Sequence, residues 1–254
     1  MFGAIIGDII GSRYEGCINI PKDFVFMTEE CRFTDDTVQT IAVAKAVKEH
    51  RETGASLKDL SVKYLQELGR RYLWCGCGDM FYKWLFKTDP QPYGSYGNGA
   101  IMRISPCAYY ADSLEQALDY AEIVTSVTHN TDEAVRAAKS VTTAIWLARN
   151  GSKKNEILEN LFETENFILE DVVPNKFDVT CKGTLNIAVH AFMDGNTLED
   201  VIRKAVAYGG DTDTNAAVAG SIASAYYGIP EYLKEFVYQK LDEYLLAMLR
   251  DLIA

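Results

Sequence analysis

Two short segments carry the residue types that bind hard cations. Thr34-Asp35-Asp36-Thr37 and Gly209-Gly210-Asp211-Thr212-Asp213-Thr214 each bring two carboxylates and threonine hydroxyls together where a helical pattern begins. Either one alone is explained by capping, because a threonine N-cap accepts a backbone N–H and first-turn acids suit the positive end of the helix dipole. Two such starts in one chain, the second preceded by glycines that let the backbone turn sharply, suit a shared oxygen-ligand set for Mg²⁺, Mn²⁺ or Ca²⁺. Two carboxylates ~4 Å apart repel by roughly 4 kcal/mol at an effective dielectric of 20. A helix N-terminus offsets only about 0.3–1 kcal/mol of that. If the two clusters converge, they require protonation or, near neutral pH, one or two divalent ions.

Other chemistries are disfavoured by composition. The six cysteines contain no Cys-x-x-Cys, and His50, His129 and His190 lie far apart, so zinc has no ligand pattern and the thiols are expected to be reduced and packed. A formal net charge of −11 opposes binding to a phosphate backbone, which disfavours a nucleic-acid partner. No stretch approaches the ~20 consecutive apolar residues of a membrane span, and Met1-Phe2-Gly3-Ala4 lacks the positive flank of a secretory signal. The expected location is the cytoplasm, with no membrane partner.

The elements that must position these acids read as helices, which gives an all-α fold class and one domain over residues 1–254. Val38, Ile41, Ala42 and Lys45 follow Thr34 at helical spacing, and Val135, Ala138, Val141, Ile145 and Ala148 share a face. A third pattern runs from Leu233 through Met248 after Pro230, a favoured first helical residue. Gly3, Gly7 and Gly11 line one stripe of the first helix and predict a close backbone neighbour. Strand-like pieces are scarce, Phe24–Met27 among them. The predicted loops are Asn19–Arg32, Thr88–Gly99 and Phe162–Asp178.

Further residues allow two readings each. Gly94–Gly99 holds three glycines and is either a plain turn or a loop whose N–H groups face an anion. Glu15 in isolation is a solvated acid at a helix end. Asp8, within an apolar helix, reads as a buried structural acid paired with a backbone group in preference to a group orienting a metal ligand. Arg103 reads as a structural ion pair, His190 as a satisfied core histidine and His50 as a surface one.

The segments Gly7–Glu15, Phe33–Thr37, Gly94–Arg103, Thr128-His129 and Gly209–Thr214 resemble, in order, the motifs of the ADP-ribosylglycohydrolases, a family that includes the enzyme that reactivates dinitrogenase reductase. The resemblance covers essentially the whole chain. It implies a compact, orthogonal multi-helix fold with two Mg²⁺ or Mn²⁺ ions at a central cleft. The implied metal ligands are Thr34, Asp35, Asp36, Asp211, Asp213 and Thr214. Glu15 would lie beside the metals, and Asp36 and Glu15 would position or deprotonate the attacking water as the catalytic pair. Gly94, Ser95, Tyr96 and Asn98 would contact the pyrophosphate and ribose, with His129 near the phosphates.

The implied reaction cleaves the bond at ribose C1′ of an ADP-ribosylated protein or small conjugate, releasing ADP-ribose through an oxocarbenium-like transition state. The family's leaving groups range over arginine, serine, acetate and nucleic-acid ends. The alternative is a catalytically inactive ADP-ribose-binding member, or a structural one like the related lens crystallins; the intact acid clusters disfavour both.

Overall fold

Glycine at every fourth position leaves one side of the first helix without side chains, and that side receives another backbone. The computed structural model describes residues 1–253. They form thirteen α-helices: α1 (Phe2–Gly11), α2 (Asp35–Thr53), α3 (Leu57–Arg71), α4 (Asp79–Leu85), α5 (Ser105–Tyr110), α6 (Leu114–Ser126), α7 (Asp132–Arg149), α8 (Lys154–Thr164), α9 (Cys181–Asp194), α10 (Leu198–Ala207), α11 (Thr212–Tyr227), α12 (Glu231–Lys240) and α13 (Glu243–Ile253). Every residue of α1 is buried. A Cβ added at Gly3, Gly7 or Gly11 would run into the carbonyls of Gly220, Ala216 and Thr212 respectively, all on α11. The two helices therefore touch along their backbones, and Thr212 Oγ1 donates to Gly11 O across 2.8 Å at the end that matters for chemistry.

Among the described residues the only β pairing is an isolated antiparallel bridge between Gly97 and Thr180, so the fold is all-α as read from the sequence. Phe24 and Phe26 form no strand. Their rings stack at 6.1 Å between centroids, and the Arg203 guanidinium lies over both, at 5.0 and 4.7 Å. That apolar and cation–π packing is what the β-rich wording of this segment encodes.

The core is built where helical faces meet. Val38, Ile41 and Ala42 of α2 are buried, and the helix ends at Gly54, whose φ of 72° closes it in a left-handed cap. Two sequence boundaries need correction. The helical pattern after Pro230 is two helices, broken at Leu241–Asp242, and Pro230 is an N-cap and not a first helical residue. Asp242 starts the second helix itself: its Oδ1 accepts from Leu245 N at 2.9 Å, and its carboxylate also accepts from Tyr72 Oη at 2.8 Å. Phe162 lies inside α8, so the long loop before α9 begins at Glu165.

Candidate active site

Asp8 fixes the first acid cluster. Buried on α1, its carboxylate accepts from Thr34 N at 3.0 Å, Thr34 Oγ1 at 2.7 Å, Thr37 N at 3.0 Å and also Thr37 Oγ1. A carboxylate with four donors pins the start of α2 to α1. Thr34 is the N-cap of α2, accepting from Asp36 N at 3.3 Å. The pairing expected of Asp8 is therefore present, and it is made to the segment that carries Asp35 and Asp36.

The second cluster is brought in by the α1–α11 contact and by a strap. Gly209 and Gly210 take φ of 74° and 76°, a left-handed conformation that side chains rarely adopt, and turn the chain into α11. Gly16 N donates to Gly210 O at 2.8 Å and Gly210 N to Cys17 O at 3.1 Å. This pairing ties the segment around Glu15 to the start of α11. Ligand oxygens of Glu15, Asp211 and Asp213 consequently lie within 4.8 Å of one another. Thr214 Oγ1 donates to Asp36 Oδ2 at 3.3 Å, so the first cluster meets the second.

Glu15, Asp35, Asp36, Asp211, Asp213 and Thr214 all line one cavity of about 400 Å³, in the range of small-molecule sites. Ser95, Asn98 and His129 line it too. Asn98 Nδ2 donates to Asp211 Oδ2 at 2.6 Å and to Thr184 Oγ1 at 2.9 Å, which links the glycine loop to the acid cluster. Thr34, Gly94 and Tyr96 are not in the cavity wall. Thr34 is engaged in the cap, Gly94 N donates to Asn130 Oδ1 at 3.0 Å, and Tyr96 is 56% exposed. Three of the loop's N–H groups are already used within the protein, those of Gly94, Gly97 and Asn98. Those of Ser95 and Tyr96 have no acceptor among the described residues.

The electrostatics are those of carboxylates forced together. Burial, then repulsion from Asp213, raises Asp8 to about 7; burial, then Asp213 and Asp8, raises Asp35 to about 8. Asp36 and Asp213 are held well above the usual carboxylate range by burial and by their acidic neighbours, and Asp211 is raised chiefly by burial. Asp36 Oδ1 and Asp213 Oδ1 are buried with no hydrogen-bond partner among the described residues. Orphaned buried carboxylate oxygens are costly. Together with an all-oxygen donor set, they fit a hard divalent cation such as Mg²⁺ or Mn²⁺ and not zinc.

His129 is buried, with Nδ1 2.7 Å from Thr128 Oγ1, and burial followed by the charge of Arg103 lowers it to about 3. Arg103 departs from the reading as an ion pair: among the described residues it has no carboxylate within salt-bridge distance and hydrogen-bonds Gln39 and Thr128 instead. It too lines the cavity, as do Gln39, Phe177 and the segment around Gly76. Gln39 was legible, since it lies one helical turn beyond Asp35 and donates to its Oδ2 at 2.6 Å. Phe177, 55% exposed at the cavity, had no local signal. The path of its loop is set by Asn175, whose N donates to Tyr208 O at 2.6 Å and whose Oδ1 accepts from Asn19 N at 2.7 Å.

Comparison with known proteins gives this geometry a family. The family model for ADP-ribosylglycohydrolase matches residues 1–254. The chain belongs to the ADP-ribosylglycohydrolase family. It is similar to ADP-ribosylhydrolase ARH3 of Xenopus tropicalis, 23% identical over 302 residues that cover 90% of this chain and 86% of the relative. It is also similar to ADP-ribosylarginine hydrolase Tri1 of Pseudomonas putida (strain GB-1), 29% identical over 175 residues that cover 62% of this chain and 46% of that protein. A solved ADP-ribosylglycohydrolase-related protein complex shares the fold, with a TM-score of 0.72 and 26% identity over 98% of this chain and 94% of that one. As a member of the ADP-ribosylglycohydrolase family the chain is a glycohydrolase. Among the described residues no helix is long and apolar enough to cross a membrane.

Proposed function

We propose that this ADP-ribosylglycohydrolase cleaves the bond at ribose C1′ of an ADP-ribosylated protein side chain or small conjugate, with two Mg²⁺ or Mn²⁺ ions held by the clustered acids. The observation that carries this reading is the meeting of Glu15, Asp211 and Asp213 with the Asp36–Thr214 pair at one cavity, with buried carboxylate oxygens left without partners. Asp35, Asp36, Asp211, Asp213 and Thr214 are the donors the cavity offers, with Thr34 beside them at the cap. Bound ions would neutralise the acids and supply Lewis acidity at the reacting centre.

The chain's own residues do the rest. Glu15 is exposed at the cavity, where a carboxylate can accept a proton from an attacking water. Asp36, fixed by Thr214, helps to orient that water. The assembled negative charge favours the cation that develops on ribose as the leaving group departs. Ser95 offers a free N–H group at the cavity wall and His129 a ring donor to the pyrophosphate and ribose oxygens, while Asn98, whose two amide protons go to Asp211 and Thr184, has its Oδ1 left for a ribose hydroxyl. The carboxylates gathered at the cavity favour catalysis over a structural role, which has no use for acids held against their mutual repulsion.

The test is to offer the purified protein ADP-ribosyl-arginine, ADP-ribosyl-serine and O-acetyl-ADP-ribose with Mg²⁺ and to measure released ADP-ribose. Release from at least one conjugate is expected. Release from none, with ADP-ribose still bound, would return the protein to a binding role.

A further inference from the structure

We infer that Arg103 is a positioning residue that acts through Thr128 to hold His129 in the tautomer with its proton on Nε2, so that the ring presents an N–H donor to the cavity. Arg103 is fully buried and its guanidinium offers only donors. One terminal nitrogen donates to Thr128 Oγ1 at 2.5 Å, so that oxygen must accept there. The hydroxyl proton of Thr128 then has His129 Nδ1 at 2.7 Å and Thr125 O at 3.4 Å as acceptors, with the Tyr93 hydroxyl also beside it. The shorter contact is the one a hydroxyl proton serves. A hydroxyl donating to Nδ1 leaves that nitrogen unprotonated and puts the ring proton on Nε2. A Cβ at Gly97 or Gly99 would lie 3.8 or 3.5 Å from Nε2, so this N–H adjoins the glycine loop.

The other end of the guanidinium explains why it keeps this orientation. Its second terminal nitrogen donates to Gln39 Oε1, which turns the Gln39 amide N–H₂ to Asp35 Oδ2 at 2.6 Å. The ring of Phe81 lies 5.6 Å from the guanidinium carbon. Burial and the nearby positive charge keep His129 neutral, so a single tautomer decides whether Nε2 donates or accepts. One buried cation thus links Asp35, through Gln39, to His129, through Thr128. The functional consequence rests on the ADP-ribose reading above: a neutral Nε2–H is a donor to a phosphate or ribose oxygen, and the other tautomer would present a lone pair to it.

The experiment reads the tautomer directly, by long-range ¹H–¹⁵N NMR of the His129 ring in ligand-free wild type, Thr128→Val and Thr128→Ser, with ADP-ribose affinity by calorimetry on the same proteins. The wild type is expected to show the neutral Nε2–H ring at neutral pH. Thr128→Val should move population to the Nδ1–H form and weaken ADP-ribose by about tenfold, the order of one hydrogen bond. Thr128→Ser, which keeps the hydroxyl, should restore both. Arg103→Met is expected to lose the Nε2–H preference as well, and the Thr128 pair decides the matter if that variant does not fold. An Nδ1–H ring in the wild type, or an unchanged Nε2–H ring in Thr128→Val, would overturn the inference. Failure of the wild type to bind ADP-ribose would instead count against the pocket reading, with the ligand-free spectra still deciding the tautomer.

Discussion

Thr214 Oγ1 donates to Asp36 Oδ2 across 3.3 Å and joins two helix starts that are 178 residues apart in the sequence. Were Asp36 only a first-turn acid on α2, Asp36→Asn would cost a few tenths to about 1 kcal/mol and leave turnover nearly intact. Because Asp36 faces Asp213, Asp8, Asp35 and Asp211, removing its charge relieves repulsion. The metal-free variant is expected to melt at the wild-type temperature or above it, to gain much less from added Mg²⁺, and to turn over slower by orders of magnitude. Melting with and without Mg²⁺, alongside hydrolysis rates, checks all three.

The raised carboxylates predict an inverted pH dependence of stability. Asp8 at about 7 and Asp35 at about 8 bind protons more tightly in the folded protein than in the unfolded chain. Stability from these groups is therefore full below their ordinary values and is lost as pH rises through about 7 to 8. Metal-free wild type should melt at falling temperature from about pH 5 to about pH 8, and Mg²⁺ should flatten the slope because it replaces the protons. Urea or thermal melts across that range test this; a metal-free stability that rises with pH would contradict it.

The α1–α11 contact is predicted to be intolerant of a methyl group. Gly7→Ala gains helix propensity of about 1 kcal/mol. It also drives a Cβ into the Ala216 carbonyl, a backbone group that cannot swing aside. Overpacking of this kind costs about 1–3 kcal/mol or more. A net loss of stability is expected by denaturant titration, with weaker Mg²⁺ binding because Asp8 and the start of α11 shift together.

Ser95 lines the cavity, and its Oγ accepts from Gly97 N at 3.0 Å, which shapes the loop. Ser95→Tyr should crowd the cavity and lower ADP-ribose affinity, by about tenfold or more if one or two hydrogen bonds are lost. Isothermal calorimetry measures it. The Mg²⁺-induced melting shift should persist, since the acid cluster is not touched.

Much of this is legible in the sequence. Thr34 as a cap, the small-residue stripe of α1 and the glycine turn before Asp211 follow from local rules, because caps, helical spacing and positive φ are decided within a few residues. Glu15 was not legible from its own neighbours, where it reads as an ordinary exposed acid. Its place depends on the Gly16–Gly210 pairing, a contact between distant segments, and was reached only through the resemblance. Arg103 shows the opposite failure. A buried arginine ordinarily finds a carboxylate, and here Asp35 is reached only through Gln39. The break at Asp242 leaves no mark in the apolar spacing, which continues across it while the capping aspartate interrupts the backbone.

The central claim is that the converged acids are a catalytic metal site, and chelation tests it most directly. ADP-ribose release should be measured on protein stripped with a chelator, then after add-back of Mg²⁺ or Mn²⁺, from whichever conjugate the wild type cleaves. Release should vanish on stripping and return with either ion. Full release by the stripped protein would contradict the account.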